Sequence, residues 1–547
     1  MSGNFATIDY LIFAIYAVTI IGLGLWVSRK KKGVERSAED YFLAGKALPW
    51  WAIGASLIAA NISAEQIIGM SGSGFAGGLA IATYEWMAAA TLIIVGKYFL
   101  PVFINKGIYT IPEFVEKRYN TSLKTILAVF WIALFVFVNL TSVMFLGAKA
   151  LDTIIGNGDG SLIIWMVIAL AFVAAAYSLY GGLGAVAWTD IIQVVLLVMG
   201  GVITTMIALN KVTPEGGIGN GISHLFDAAG DKLHMILKKD NPEFSNLPGI
   251  GTLIGGMWIA NLYYWGFNQY IIQRTLAAKS LKEAQRGIAF AAFLKLIIPL
   301  FVVVPGILVY LMYTQPEGTA IIPGVQEVFL NADGSTNYDK AYPWLIGSFV
   351  PTGLKGLVVA ALAAAIVSSL ASMLNSTATI FTMDIYRPYF NRTATNKQIV
   401  RVGRISAFAA LIIAVISTRF LDGLPQVFQY IQEYTGVVSP GILAIFIMGL
   451  FWKKANARGA ITGAIASIPI ALFLKLSIVD LPFMDQMLYT CIITMVIIMG
   501  VSLSTGKEGD DPKGIDLNSS MFRTGRNFNI SAYIILIILA FLYTFFW

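Results

Sequence analysis

Long apolar stretches follow one another along almost the whole chain, each near the 20 residues that a membrane-crossing helix needs. Fourteen spans are predicted, near 7–28, 47–75, 78–104, 123–152, 161–180, 186–210, 250–273, 285–313, 354–384, 399–420, 426–452, 457–477, 484–505 and 529–547. Two longer polar stretches, 211–249 and 314–344, are rich in Pro, Gly, Asn and Asp and read as caps or short surface helices. A third, 506–528, reads as a linker to a peripheral last span. The first span is expected to be retained, because MSGNFATID has no basic n-region and no small-residue cleavage site follows. No segment is left for a soluble catalytic or signalling domain.

Two spans break the apolar pattern. The second has Asn61, Ser63, Glu65 and Gln66 at its middle, followed by the glycine run GMSGSGFAGG. The seventh has Asn261, Gly266 and Asn268. Polar groups and glycines this dense suit a discontinuous helix, whose freed carbonyls and half-helix ends can hold an ion or solute at the midplane. Both spans contain an Ile-Ala-(Ala)-Asn echo, 58–61 and 259–261, and they lie five spans apart. Two five-helix units of opposite topology are therefore expected, 47–210 and 250–452, with an extra helix at 7–28 and three peripheral helices in 457–547. The plain alternative is a pair of kinked packing helices. The glycine run is no phosphate loop, since it lacks the Lys-Ser/Thr ending and a preceding strand; close helix packing at the outer mouth is expected.

Composition agrees with the pattern. Of 547 residues, 57% are hydrophobic and 12% charged, against about 25% charged in a soluble domain; mean hydropathy is +0.75. One cysteine, Cys491, allows no intrachain disulfide, and His224 and His234 share one polar stretch. Zinc clusters and Ser-His-Asp triads are thereby excluded. The net charge of +7 is read as membrane orientation and not as nucleic-acid binding. Loops after odd-numbered spans, with the span ends that adjoin them, hold 26 of the 37 Lys and Arg, among them Arg29, Lys30, Lys31, Lys32, Arg274, Arg286, Arg401, Arg404, Lys453 and Lys454. Those loops are expected in the cytoplasm, with both termini outside.

Charge inside hydrocarbon costs roughly 2.5–3.5 kcal/mol per residue on insertion scales, so Glu65, Glu85, Asp190, Lys295 and Glu433 need a reason. That reason is a ligand role or an ion pair that locks helices. At 1.5 Å per residue, Asn61, Asn261, Lys295 and Ser368 all fall roughly 15–21 Å into their spans, near the midplane. Glu85 and Gln432 fall about 10 Å below the outer surface. The ninth span carries a hydroxyl stripe, SSLASMLNSTATIFT, which is helix-packing glue or, at Ser368 and Ser369, half of an all-oxygen cage suited to Na⁺. Asn61, Gln66, Glu85, Asn261, Lys295 and Gln432 have no metal-ligand pattern. Beside Tyr84, Tyr264, Trp265 and Phe428 they suit a sugar, an amino acid or a nucleobase.

The segments ANISAEQ (60–66), YEWM (84–87), WTDIIQ (188–193), NLYYWGFNQYIIQRTLAAKS (261–280), AAAIVSSLASMLNSTATIFTMDIY (363–386), FQYIQEYTG (428–436) and GLFWKKANARGAITG (449–463) resemble the solute:sodium symporter family. The resemblance covers essentially the whole chain and is strongest to the family's sodium-driven sugar carriers. It implies an all-α integral membrane protein of about fourteen transmembrane helices. Its core would be a five-plus-five inverted repeat with two discontinuous helices. The activity it implies is Na⁺-coupled symport of galactose or glucose across a bacterial inner membrane by alternating access, with no enzymatic step and no organic cofactor. Asn61, Gln66, Glu85, Asn261, Lys295 and Gln432 would contact the sugar. Met70, Tyr84 and Phe428 would close the outer side and Tyr264 the inner. Carbonyls of Ala59, Ile62 and Ala365 and hydroxyls of Ser368 and Ser369 would hold Na⁺, and Asp190 would lie on the ion's path. Ala88 departs from the pattern, standing where a close relative has a sugar-contacting Ser. Inositol or an amino acid is the alternative cargo, and a transporter-fold sensor the alternative class.

Overall fold

Every regular element among the described residues is helical, and the strand pairing there is limited to two isolated bridges. The structure is a computed structural model. It describes residues 5–27, 46–108, 110–156, 158–315, 324–331, 333–478, 480–506 and 509–547. The basic cluster Arg29, Lys30, Lys31 and Lys32 lies outside the described residues.

The chain opens with α1 (Thr7–Val27) and α2 (Trp50–Asn61). After a break, a π-helical turn Glu65–Met70 leads into α3 (Ser71–Gly77). A tight corner leads to α4 (Thr83–Ile94). Next come α5 (Thr121–Ile155) and α6 (Ile163–Lys211). The second broken unit comprises α7 (Gly256–Leu262), a π turn Tyr263–Phe267 and α8 (Gln269–Leu276). The rest are α9 (Leu281–Tyr313), α10 (Leu354–Ile380), α11 (Asn396–Ser417), α12 (Val427–Phe451), α13 (Ala457–Ser477), α14 (Phe483–Thr505) and α15 (Arg526–Phe545).

Ten helical runs among the described residues are long and apolar enough to cross a membrane, and Thr7–Ile20 and Ile163–Ala176 are shorter apolar helices. The helices follow the predicted spans closely, with one difference. Spans 161–180 and 186–210 run together as the single helix α6, about 74 Å long if straight at 1.5 Å per residue. That exceeds one bilayer core of about 30 Å, and its two ends, Ile163–Ala176 and Asp190–Lys211, are separate apolar segments.

Helices α2, α9 and α10 lie at the centre. Small residues set their spacing: a Cβ at Gly287 of α9 would meet the α2 carbonyl of Trp50 at 2.8 Å, and one at Gly306 would overlap the Ser71 carbonyl. The glycine run packs as expected. Gly69 faces Phe428, Gly72 the backbone of Tyr338, and Gly74 the carbonyl of Val303. Gly78 makes the corner after α3 at φ +78°, pressed on the Lys232 backbone, a conformation and a contact that exclude any side chain. The periphery turns apolar side chains outward, as at Phe172, Phe473, Val496 and Ile537, the surface a bilayer covers.

The polar stretches 211–249 and 314–344 clamp the start of α12. Gln426 accepts from Ser73 at 3.0 Å and donates to Glu243 at 3.2 Å. Asp339 accepts from the Val427 backbone N–H at 3.1 Å and lies 3.6 Å from Lys149 of α5. Burial pushes the Asp339 carboxyl up to about 6, against the pull of Lys149 and the Val427 N–H. A folded-state value above the unfolded one means that burying the anion costs stability above pH 6, and that this cost vanishes as the group protonates. The full effect is about 3 kcal/mol, at 1.36 kcal/mol per unit. Wild type therefore gains stability from pH 8 to pH 5, and Asp339→Asn has a shallower gain. Thermal unfolding of both proteins at the two pH values checks this; equal slopes would remove Asp339 as the source.

Candidate functional site

The first break lies where the sequence places it. Helix α2 stops at Asn61, and Ile62 is extended at φ −77°, ψ 94°. Gln66 pins the break: its Oε1 accepts from the Ser63 N–H and hydroxyl, both at 3.4 Å. That use leaves the Gln66 amide N–H groups for the cavity beside it. The second break lies deeper than the echo suggests. It falls at Asn268, extended at φ −86°, ψ 120°, seven residues after Asn261. Aligning the two breaks pairs Ile62 with Asn268 and Asn61 with Phe267, so the Ile-Ala-Asn echo is not the repeat's register. Tyr264, in the π turn, precedes this break. Gly266 supplies close packing there, since a Cβ would stand 2.9 Å from the Phe99 ring.

All six candidate solute contacts line one cavity of about 60 Å³, together with Met70, Tyr84, Phe428, Tyr264 and Ala88. Lys295, fully buried on α9, is its electrostatic centre. Its Nζ donates to Glu85 Oε2 at 2.5 Å and to Asn61 Oδ1, and it stands 5.0 Å above the Trp265 ring. The Glu85–Lys295 ion pair and the cavity wall are therefore the same residues; the two sequence readings are not exclusive. Trp86 holds α4 against α9 through a 3.2 Å bond to the Leu296 carbonyl.

Aromatic rings bound the cavity on both sides. Tyr84 and Phe428 meet edge to face at 5.2 Å. On the opposite side the Tyr264 hydroxyl accepts from Asn61 Nδ2 at 3.1 Å and lies 2.5 Å from the Tyr270 hydroxyl. Tyr264 thus bridges α2 to α8, and Asn61 is shared between Tyr264 and Lys295.

The candidate ion ligands gather along the seam of α2 and α10. Ser369 donates to the Ala60 carbonyl at 3.3 Å, beside Ala59 and Ile62 at the end of α2. Ala365, Ser368 and Ser369 are buried on α10. Ser368 donates to Asp190 Oδ1, which orients the hydroxyl and leaves its lone pairs outward. Among the described residues no group of three or more His, Cys, Asp and Glu comes together. The available donors are neutral oxygens plus one carboxylate, a set for a hard monovalent cation and not for zinc.

Arg274 was counted in the sequence as a cytoplasmic loop charge. It is fully buried. Its Nε donates to Ser56 at 2.8 Å, and its Nη2 to Ser372 at 2.7 Å and to Asp190 at 3.4 Å. Ser56 donates to Asp190 at 2.6 Å. One guanidinium therefore joins α2, α6, α8 and α10. The signal available was its partner: a buried Asp190 requires a cation. Glu433 takes the opposite course. It pairs at 3.0 Å with Lys475 of α13, half-exposed, and does not line the cavity as its neighbour Gln432 does.

A multi-helix membrane protein whose two broken helices flank a buried polar cavity has the build of a secondary transporter. The model of the sodium:solute symporter family matches residues 41–467, and the chain belongs to that family. It is 62% identical to the sodium/glucose cotransporter of Vibrio parahaemolyticus over 540 residues, 99% of this chain and 98% of that one. It is 32% identical to the human sodium/myo-inositol cotransporter 2 over 479 residues, covering 85% of this chain and 69% of the relative. The solved structure of a substrate-bound, outward-open Na⁺-coupled sialic acid symporter superposes with a TM-score of 0.77, at 23% identity, over 93% of this chain and all of that one. That likeness fixes the fold. The protein is a transporter and not an enzyme.

Proposed function

We propose that the protein is a Na⁺-driven symporter that carries galactose or glucose inward by alternating access. The observation that carries the reading is the cavity: six hydrogen-bonding side chains centred on the Lys295–Glu85 pair, which is two of them, bounded by Tyr84–Phe428 on one side and Tyr264 on the other. Donors and acceptors over aromatic faces match a hexose, with its hydroxyl rim and C–H face. The 62% identity to a sodium/glucose cotransporter favours a hexose over inositol, the printed cargo of the more distant human relative. Ala88 offers the cavity no hydroxyl, at a cost of about 1 kcal/mol if a hydrogen bond is lost there.

Na⁺ bound by the Ala59, Ile62 and Ala365 carbonyls and the Ser368 and Ser369 hydroxyls ties α2 to α10 and favours the outward-open state. Sugar binding then closes Tyr84, Phe428 and Met70 over it, and movement of Tyr264 releases both to the cytoplasm. Asp190 takes the ion from Ser368 on its way out. In this reading units 47–210 and 250–452 move against each other, 7–28 and 457–547 are peripheral, and the bacterial inner membrane holds both termini outside.

Uptake of galactose, glucose and inositol into proteoliposomes, with and without an inward Na⁺ gradient, tests this; gradient-independent uptake would overturn it. The Ser368→Ala/Ser369→Ala protein raises the Na⁺ concentration for half-maximal uptake at least about tenfold, two lost oxygen ligands at ~1 kcal/mol or more each. Sugar affinity at saturating Na⁺ changes less. An unchanged Na⁺ dependence would remove these serines from the ion site.

A further inference from the structure

Five charged residues inside the spans needed a reason, and four have one. Glu85 pairs with Lys295, Asp190 with Arg274, and Glu433 with Lys475. Glu65 has no ion-pair partner among the described residues. It is 4% exposed, sits in the π turn just after the first break, and lines the solute cavity. Asn139 of α5 hydrogen-bonds its side chain, but Oε1 has no protein partner. The cavity's cation is turned elsewhere: Lys295 bonds Glu85 and Asn61 and makes no ion pair with Glu65. Its other ionisable neighbours are Tyr264 and Tyr270, which bring no positive charge. An unpaired carboxylate at this depth is costly, whereas the neutral acid is both donor and acceptor.

A second orphan oxygen stands at the other break. Asn268 is 2% exposed and lines the same cavity, and its Oδ1 also lacks a partner. Tyr84, Thr435 and Ser439 also turn unpartnered hydroxyls to this cavity, but Glu65 and Asn268 supply the bare carbonyl-type oxygens at the two breaks. Buried polar atoms are nearly always satisfied, so bare oxygens on a solute cavity mark what the solute supplies.

We propose that Glu65, held as a neutral carboxylic acid against Asn139, is a further specificity-determining contact that hydrogen-bonds one hydroxyl of the carried sugar, with Asn268 completing that pole of the site. This rests on the sugar-symport reading. The Glu85–Lys295 pair reads one part of the hydroxyl rim and Glu65 another, and the solute's hydroxyls satisfy the Glu65 and Asn268 oxygens. A solute lacking the matching hydroxyl leaves Oε1 buried and bare, the condition under which a polar site discriminates most strongly.

The test is Na⁺-gradient uptake by the full-length protein in proteoliposomes, as wild type, Glu65→Gln and Glu65→Met, with galactose, glucose and their mono-deoxy analogues. Gln keeps a neutral acceptor and donor at this position, so its KM stays within about threefold of wild type. Met keeps the volume but removes the oxygens and raises KM about tenfold. In wild type one deoxy analogue shows a similar rise, and in Glu65→Met that analogue and its parent become equal. The Na⁺ concentration for half-maximal uptake is unchanged in both variants, which separates a sugar contact from a distorted break. Undiminished discrimination among all analogues in Glu65→Met overturns the assignment, as does a Gln variant as impaired as Met. Wild type that takes up no hexose refutes the symport reading itself, and with it this contact.

Discussion

Uptake by Lys295→Met falls to the level of empty vesicles, and the protein loses about 3–5 kcal/mol of stability, the cost of stripping one partner from a buried pair. Glu85 is 2% exposed and would be left with no cation within reach. Asn61 would lose a donor at the same time, and with it the strap to Tyr264. Adding Glu85→Gln removes the stranded carboxyl, so the double variant regains most of the stability. It does not regain transport, because Glu85 and Lys295 line the cavity as well as bind each other. Chemical denaturation in detergent and Na⁺-driven uptake, measured on the single and double variants, check both halves. A double variant that transports would reduce the pair to a helix lock.

Tyr264→Ala lowers Na⁺-driven accumulation about a hundredfold while the protein stays folded. The ring, its contact with Trp265 at 5.2 Å and two hydrogen bonds go together, at about 1 kcal/mol each. Tyr264 is only half-buried at the cavity edge, so the helix bundle keeps its packing. Read from sequence, Tyr264→Phe should keep most activity, because stacking uses the ring. The structure gives the hydroxyl two partners, Asn61 and Tyr270, so Phe is also impaired, by about ten- to thirtyfold. Accumulation ratios and melting temperatures of both variants decide it. A stable Ala variant that concentrates sugar as wild type does would rule the gate out.

The legible parts of this protein were those where hydrocarbon makes a residue expensive. Polar density at Asn61, Ser63 and Gln66 located the first break to within a residue or two, because such groups have no reason to face lipid. Depth counting brought Lys295 and Asn61 to one level, and they bond; it set Glu85 nearer the outer surface, yet the long Lys295 side chain reaches it. What escaped depended on three-dimensional neighbours. The Ile-Ala-Asn echo matched side chains but not backbone, so the second break was set seven residues early. Charge counting placed Arg274 in a loop, since positive residues near a span end read as cytoplasmic whether or not they fold inward. Glu433 looked expensive, yet Lys475 on the next helix answers it.

The Arg274 knot has a consequence for how the chain is made. Asp190 precedes Arg274 by 84 residues and Ser368 by 178. At about 5–20 residues per second, roughly 10–35 s separate the synthesis of Asp190 from that of Ser368. For that interval the growing chain holds an acid in or near the bilayer whose full set of partners has not been made. Early helices must therefore wait, at the interface or in a watery vestibule, until α8 and α10 arrive, and a chain cut short before α10 carries an exposed defect that quality control can read. The residues that join α2, α6, α8 and α10 also mark the moment at which the last of these four helices has been made.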